Sequence, residues 1–365
     1  VGRWWVAVGV VLSVLGWFKS IPPLLLFGYA MLALFGLNAW LARRQLGGVS
    51  AARVPHPPVY AGEPLRVALR VRNDGPRPVT AGVADAPETG GVAGLFEHLA
   101  PGAEAGCSAT RTFPTRGVVG REPPRLWSDF PLGLVRLERP AAAGGELLVL
   151  PPVGDVDLEG FRRWVHRQSG VEGQSRRRVA RSAADRTDTR GVRPIRPGDG
   201  RRDIHWKTTA RRGEPYVREY DAAPDPELLL VVEPWLPAGG TAADAASLEA
   251  SLSLAATLVR DWCQVAGTRV TLCVAGDEAL TRSSLPTQAA ARYLLSPLAG
   301  VAGTARPAVP TDLGGGAARS ARVVVSSRPN SPLAAALGRA AGRPFAAAAP
   351  ADRPAWYRPP PPGPR

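Results

Sequence analysis

The chain has 365 residues, a formal net charge of +14 and a hydrophobic content of 45%, so it has room for two or three domains and material for a sizeable core. Its three cysteines, Cys107, Cys263 and Cys273, are odd in number and show no metal-type spacing, which excludes a disulfide framework and fits buried thiols in a reducing compartment. The positive charge points to an anionic partner or surface, but Lys19 and Lys207 are the only lysines, and part of the arginine excess follows from a composition that is also rich in Ala, Gly and Pro.

The first apolar segment, WWVAVGVVLSVLGWF (4–18), is uncharged between Arg3 and Lys19, and the second, IPPLLLFGYAMLALFGLNAWL (21–41), is uncharged up to Arg43 and Arg44. Crossing a bilayer takes about 20 apolar residues, with about 17 as the lower limit. The second segment meets that length and the first is marginal. Trp4, Trp5, Trp17 and Trp40 sit near the segment ends, where indole favours the headgroup region. Residues 1–45 are therefore read as a transmembrane helical hairpin. A cleaved signal peptide competes, but no small-residue cleavage site follows and the second span begins at once; a buried soluble hairpin is the other alternative. Arg3, Arg43 and Arg44 outnumber Lys19 in the turn, so the positive-inside rule predicts an inner-membrane protein whose remaining domains are cytoplasmic.

Residues 50–152 read as an antiparallel β-sandwich, immunoglobulin-like in shape. PLRVALRVRN (64–73) alternates apolar and polar residues and ends at the turn Asn73-Asp74-Gly75. AGCSATRTFPTRGVVG continues the pattern, and ELLVLPP (146–152) closes it as a buried strand. Residues 153–224 are dense in arginine and poor in apolar periodicity. Within them, QSRRRVARSAADRTDTR (174–190) reads as an exposed basic run. Beside a bilayer, Arg176, Arg177 and Arg178 would meet anionic lipid at about 1 kcal/mol per charge. A merely solvated face is the simpler account. Nucleic-acid binding lacks the zinc spacing, helix-turn-helix or aromatic run that would support it.

From residue 225 to 345 strands and helices alternate. ELLLVV (227–232), TRVTLCVAG (268–276) and ARVVVSS (321–327) are strands. SLEASLSLAATLVRDWCQVAG (247–267), with Leu248, Leu252, Ala255, Leu258, Val259 and Trp262 near one face, and LPTQAAARYLLSPLAGV (285–301) are helices. This implies an α/β domain with a parallel sheet covered on both faces. Residues 346–365 are Pro-rich and read as a disordered tail.

Between the basic run and the α/β part stands GVRPIRPGDGRRDIHWKTTARRGEPYVREYD (191–221). Its Arg193, Pro197, Gly198, Asp199, Arg202, Ile204, His205, Trp206, Lys207, Ala210, Arg211, Arg218 and Glu219 form a combination that resembles the signature of the domain of unknown function 58 family. Gly62-Glu63, DFPLGLVR (129–136) and LLVLPP extend the likeness over nearly the whole chain. The resemblance implies a membrane-anchored protein with a cytoplasmic von Willebrand factor A-like domain after the motif. It also implies work beside a MoxR-type AAA+ ATPase, in protein assembly or envelope-related processes. A metal-binding domain of that kind carries Asp-x-Ser-x-Ser after its first strand. Here the position reads EPWLP, with Glu233 and Trp235, so the site is degenerate, and no metal or other cofactor is expected.

The side chains of the signature admit several uses. His205 could serve as a general base with Asp199 or Asp203, which would make the protein an envelope hydrolase. No nucleophile motif accompanies it, and a histidine held by hydrogen bonds is the simpler account. The arginines suit carboxylate forks, either in a network tying the sandwich to the α/β domain or as a face for an acidic partner. Trp206 reads as a packing anchor. The sequence therefore favours a non-enzymatic membrane adaptor, with the lipid bilayer and a MoxR-type ATPase as partners. A hydrolase and a basic protein binding nucleic acid or anionic lipid are the alternatives.

Overall fold

A computed structural model describes residues 2–85, 91–141, 144–168, 189–196, 204–220, 227–264, 269–310, 320–352 and 354–361. The chain divides into two compact units, one within Val1–Leu150 and one within Pro151–Pro362.

The first unit begins with two antiparallel helices, α1 (Gly2–Phe18) and α2 (Pro22–Leu46). They pack through small residues. Gly9, Ser13 and Gly16 of α1 and Gly28 of α2 are buried, and a side chain at Gly16 would come within 2.6 Å of the Leu25 backbone nitrogen. Close backbone approach of this kind is how apolar helices associate where no hydrophobic force separates them from their surroundings. The Ser13 hydroxyl donates to the Gly9 carbonyl at 2.7 Å and the Trp5 indole to the Met31 carbonyl at 2.8 Å. Large apolar side chains such as Val11, Leu15, Leu26, Phe27 and Leu34 point outward and stay exposed. Helix α2 is long and apolar enough to cross a membrane; α1 is a shorter apolar helix.

Ten strands follow: β1 (Val49–Arg53), β2 (Val59–Tyr60), β3 (Pro64–Asn73), β4 (Val79–Ala84), β5 (Ala93–Leu99), β6 (Glu104–Thr112), β7 (Gly117–Arg121), β8 (Arg125–Ser128), β9 (Leu137–Pro140) and β10 (Gly145–Leu150). They form sheets of order β1-β3-β6, β5-β4-β8-β9 and β2-β10-β7. Strand β3 coincides with the alternating segment predicted for it. Val67, Leu69 and Val71 turn inward, and Arg66, Arg70 and Arg72 turn out. The inward residues share one core with Leu46, Val49, Val79, Val83 and Leu126, each contributing on the order of 1.5–3 kcal/mol by its burial. Because Leu46 closes α2, the helical hairpin and the strand-rich part share that core.

One charged cluster is embedded here. The Asp85 carboxylate accepts from Arg53 Nη2 at 2.6 Å and Nε at 2.9 Å, and from Arg121 Nη2 at 2.9 Å. Burial opposes ionisation of Asp85, but the Arg53 hydrogen bond and the charges of Arg53 and Arg121 outweigh it and hold the carboxyl below its ordinary range.

The second unit is built on a five-stranded sheet of order β16-β15-β14-β17-β18. Its strands are β14 (Leu228–Glu233), β15 (Val270–Ala275), β16 (Ala279–Ser284), β17 (Ala321–Ser326) and β18 (Ala346–Ala348). All pairings are parallel except that of β15 with β16. Its helices are α5 (Ala242–Trp262), α6 (Gln288–Gly300) and α7 (Pro332–Ala341). All six residues predicted for the inward face of α5 are buried. The helix starts earlier than its apolar pattern, because Thr241 and Asp244 form a reciprocal capping box. Although α5 is long and apolar enough for a membrane span, 56% of its apolar stretch is buried within the unit, as in a core helix. Strand β16 lies where the sequence pattern predicted no element. Its partly exposed ALTRSS sequence carries little of the apolar signal that marks the central strands.

Two boundaries differ from the sequence reading. Residues 153–168, assigned there to the arginine-rich region, belong to the second unit through β11 (Asp155–Val156) and α3 (Leu158–Gln168). The Gly154 amide donates to Thr257 Oγ1 at 3.0 Å and the Val156 amide to Asp261 Oδ2 at 3.1 Å, which accounts for two polar residues on the buried side of α5. The Pro-rich end, predicted as a disordered tail, packs onto the second unit over the described residues 346–352 and 354–361. Beyond β18, a 3₁₀ turn (Pro350–Asp352) leads to β19 (Tyr357–Arg358), which pairs with β11. Trp356 is buried against Phe161 and Trp164, with ring centroids 4.9 and 5.2 Å away. Composition pointed to disorder, but two aromatic residues among the prolines bury enough apolar surface to hold the segment down.

Candidate functional site

The described residues of the motif form regular structure. Strand β12 (Thr189–Pro194) pairs antiparallel with β13 (Tyr216–Tyr220), and Ile204 bridges to Val217. Between them lies the short helix α4 (Trp206–Arg212). Register sets Arg193 opposite Val217, Arg218 opposite Val192 and Glu219 opposite Gly191. The backbone placement of Arg218 and Glu219 is described; their side chains are not. Pro197, Gly198, Asp199, Arg202 and Asp203, like Arg176, Arg177 and Arg178, lie outside the described residues.

His205 is the N-cap of α4. Its Nδ1 accepts from the Thr208 amide at 3.2 Å and lies 2.8 Å from Thr208 Oγ1, while its own amide donates to the Tyr216 carbonyl at 2.7 Å. One ring nitrogen is thus taken up in satisfying an orphan helix-terminal donor. At the other end Gly213, with φ +76°, terminates the helix by donating to the Thr209 carbonyl at 2.9 Å. The Tyr216 amide donates to Thr209 Oγ1 at 3.0 Å. Arg212 donates to the Tyr216 hydroxyl at 3.0 Å, and its guanidinium lies 5.2 Å from that ring's centroid. The helix is held by its two ends and by its neighbouring strand.

No residue of α4 is buried. Trp206, read from the sequence as a packing anchor, is 69% exposed, and Lys207, Arg211 and Arg212 are exposed around it.

The second place of interest is the C-terminal edge of the parallel strands. Glu233, the last residue of β14, is 1% exposed. Its Oε1 accepts from Arg328 Nη2 at 2.7 Å. The same guanidinium lies 4.7 Å from the centroid of the Trp235 ring, within cation–π range. Ser327 Oγ donates to the Trp235 carbonyl, and the Arg328 amide donates to Ser326 Oγ at 3.2 Å. Glu233 Oε2 and Arg328 Nε are buried with no partner among the described residues. At the end of β14, then, the carboxylate is answered by a guanidinium. Sequence reasoning missed Arg328. It follows the last residue pair of the β14–β17 ladder, Glu233 with Ser326, and that register cannot be read from either strand alone. Among the described residues no group of three His, Cys, Asp or Glu side chains is placed to hold a metal ion.

A third feature is an open depression of 520 Å³ lined by Asp155, Val156, Leu158, Arg260, Asp261 and Gln264. Arg260 pairs with Asp261 at 2.7 Å and approaches Asp155 at 3.9 Å, so its charged lining is largely compensated from within.

The arrangement is that of an α/β unit with an exposed aromatic and basic helix, in a chain that begins with an apolar helical pair. Residues 191–331, from β12 to the residue that caps α7, match the family described as "Protein of unknown function DUF58". The resemblance drawn from the motif therefore holds over that stretch. No curated protein matches the chain. Among solved structures there is a match to the Pseudomonas fluorescens alkylpurine DNA glycosylase AlkC bound to DNA containing an abasic site analog. It has 15% identity, covers 28% of this chain and 30% of that one, and has a TM-score of 0.17. That likeness is too slight to bear on fold or activity.

Proposed function

We propose that the protein is a membrane-anchored, non-enzymatic adaptor that presents helix α4 to an acidic protein partner. The observation that carries this reading is the exposure of Trp206 at 69% on a helix flanked by Lys207, Arg211 and Arg212. A large aromatic beside guanidinium groups is the composition of an interface hot spot, and the charge selects an acidic surface. The family resemblance names the partner class, a MoxR-type AAA+ ATPase. The α1–α2 pair serves as the bilayer anchor, with both soluble units on the cytoplasmic side as the Arg3, Arg43 and Arg44 bias directs.

The strand order of the second unit, with its antiparallel β16 at the edge, supports a von Willebrand factor A-like domain. The antiparallel sheets β1-β3-β6 and β5-β4-β8-β9, whose inward residues share one core, support an immunoglobulin-like sandwich, although β2 pairs parallel with β10 in the third sheet. His205, engaged as a helix cap, favours the adaptor over the hydrolase, and no cofactor is called for. The experiment is capture of a co-expressed MoxR-type ATPase by the full chain from detergent extracts. Trp206→Ala with Lys207→Glu should weaken capture at least about tenfold and leave thermal unfolding unchanged. Undiminished capture by that variant, or none by the parent protein, overturns the proposal.

A further inference from the structure

The loop between β8 and β9, Asp129 to Arg136, has a docked side and a free tip. On the docked side it surrounds Asn38 of α2, which is fully buried. The Asn38 amide donates to the Phe130 carbonyl at 2.9 Å and the Asp129 carbonyl at 3.4 Å, and its Oδ1 accepts from the Leu134 and Val135 amides at 3.0 and 3.1 Å. Gly2, at the start of α1, lies so close to the Leu134 carbonyl that a Cβ there would collide with it. Both helices thereby fix the height of the loop along the hairpin.

That height falls inside the apolar stretch. Helix α2 is uncharged from Pro22 to Leu41, about 30 Å of helix, the thickness of a hydrocarbon core. Asn38 precedes the first charge of the helix, Arg43, by about 7.5 Å. Leu37 and Trp40, on either side of it, are 48% and 54% exposed, and Trp4 is exposed within a turn of Gly2. From this level the loop turns outward. Phe130, Pro131, Leu132 and Gly133 are all exposed, while the charged Asp129 and Arg136 pair with each other at 3.2 Å at its base.

We propose that the Phe130–Leu132 tip inserts into the headgroup–acyl boundary of the bilayer that α1 and α2 cross, forming with Trp4 and Trp40 an interfacial collar. The inference rests on the membrane reading of the hairpin and adds a lipid contact made by the strand-rich part of the first unit. Lipid is the occupant because the tip continues the outward apolar surface of the two helices at the depth where aromatic belts form. Interfacial elements bury about 5–10 Å into this zone. It also accounts for Asn38. An amide within a span is costly unless its bonds are met, and the loop meets them on both sides.

The test uses the full chain in phospholipid vesicles, with an environment-sensitive fluorophore on Leu132→Cys or, as reference, Leu34→Cys, an exposed position near the middle of the uncharged stretch of α2. Both are made in a Cys107→Ser background. Cys263 and Cys273 are buried, and burial lifts the Cys263 thiol to about 11, so they label slowly. The expected result is quenching of the probe at 132 by lipid brominated near the headgroup and its protection from aqueous iodide. The probe at 34 should be quenched by lipid brominated deep in the chain. Iodide quenching at 132 equal to that of free dye, with deep quenching retained at 34, overturns the loop insertion and leaves the anchor standing. Iodide quenching at both positions overturns the anchor and the insertion together.

Discussion

Arg328→Ala is the most direct probe of the sheet-edge cluster. The wild-type side chain is the one cation paired with Glu233, at 2.7 Å, among the described residues, and Glu233 itself is 1% exposed. Truncation would leave a carboxylate out of water with no counter-charge, and would also uncover one face of Trp235. Breaking a buried pair from one side costs about 3–5 kcal/mol, out of about 5–15 kcal/mol for a whole domain. The unfolded population of the second unit should rise roughly 10²- to 10⁴-fold. Pulsed alkylation of Cys273 across a denaturant series reads this, because its thiol is fully buried in β15 beside β14. Burial also raises its pKa, so labelling needs opening. Glu233→Ala/Arg328→Ala should be less destabilised than the sum of the single variants, as coupled partners require. A loss below about 1 kcal/mol for Arg328→Ala, the scale of an exposed pair, would refute the idea that this edge is held by a buried charge pair.

Two further outcomes test the first unit. The Asp85 carboxyl is held below its ordinary range, so its contribution is complete above that range and is lost as pH falls through the lowered value. Pulsed digestion by an acid-active protease should therefore show cuts within 49–150 appearing below about pH 4. Asp85→Asn should flatten that dependence while already weakening the unit at neutral pH; an unchanged profile would remove Asp85 as its source. In the hairpin, Gly28 faces Ser13 closely enough that a Cβ would lie 2.7 Å from the Ser13 nitrogen, and overpacking of this kind costs about 1–3 kcal/mol. A Cβ at Gly9 would lie 3.4 Å from that of Met31, so Gly9→Cys/Met31→Cys should oxidise to a disulfide. Adding Gly28→Val should suppress that bond, and efficient cross-linking despite it would count against the packed seam.

Periodicity was sufficient for the elements with a strong apolar pattern, such as β3 and α5. The alternation of Val67, Leu69 and Val71 and the helical spacing of Leu248, Leu252 and Ala255 each encode which side faces a core, because a strand repeats every two residues and a helix every 3.6. Uncharged length marked α1 and α2, and the residue combination from Arg193 to Glu219 marked the start of the stretch that matches the family model. Such signals are local, written within a dozen or so neighbouring residues. The tertiary structure decided what depends on neighbours distant in sequence. Arg328 meets Glu233 only through the register of two parallel strands, and Asn38 finds its four partners in a loop about ninety residues away. Trp356 is held by Phe161 and Trp164 of α3, although the prolines around it argue for disorder. Sequence composition states what a side chain prefers, whereas the contacts available at its final position decide whether that preference is met.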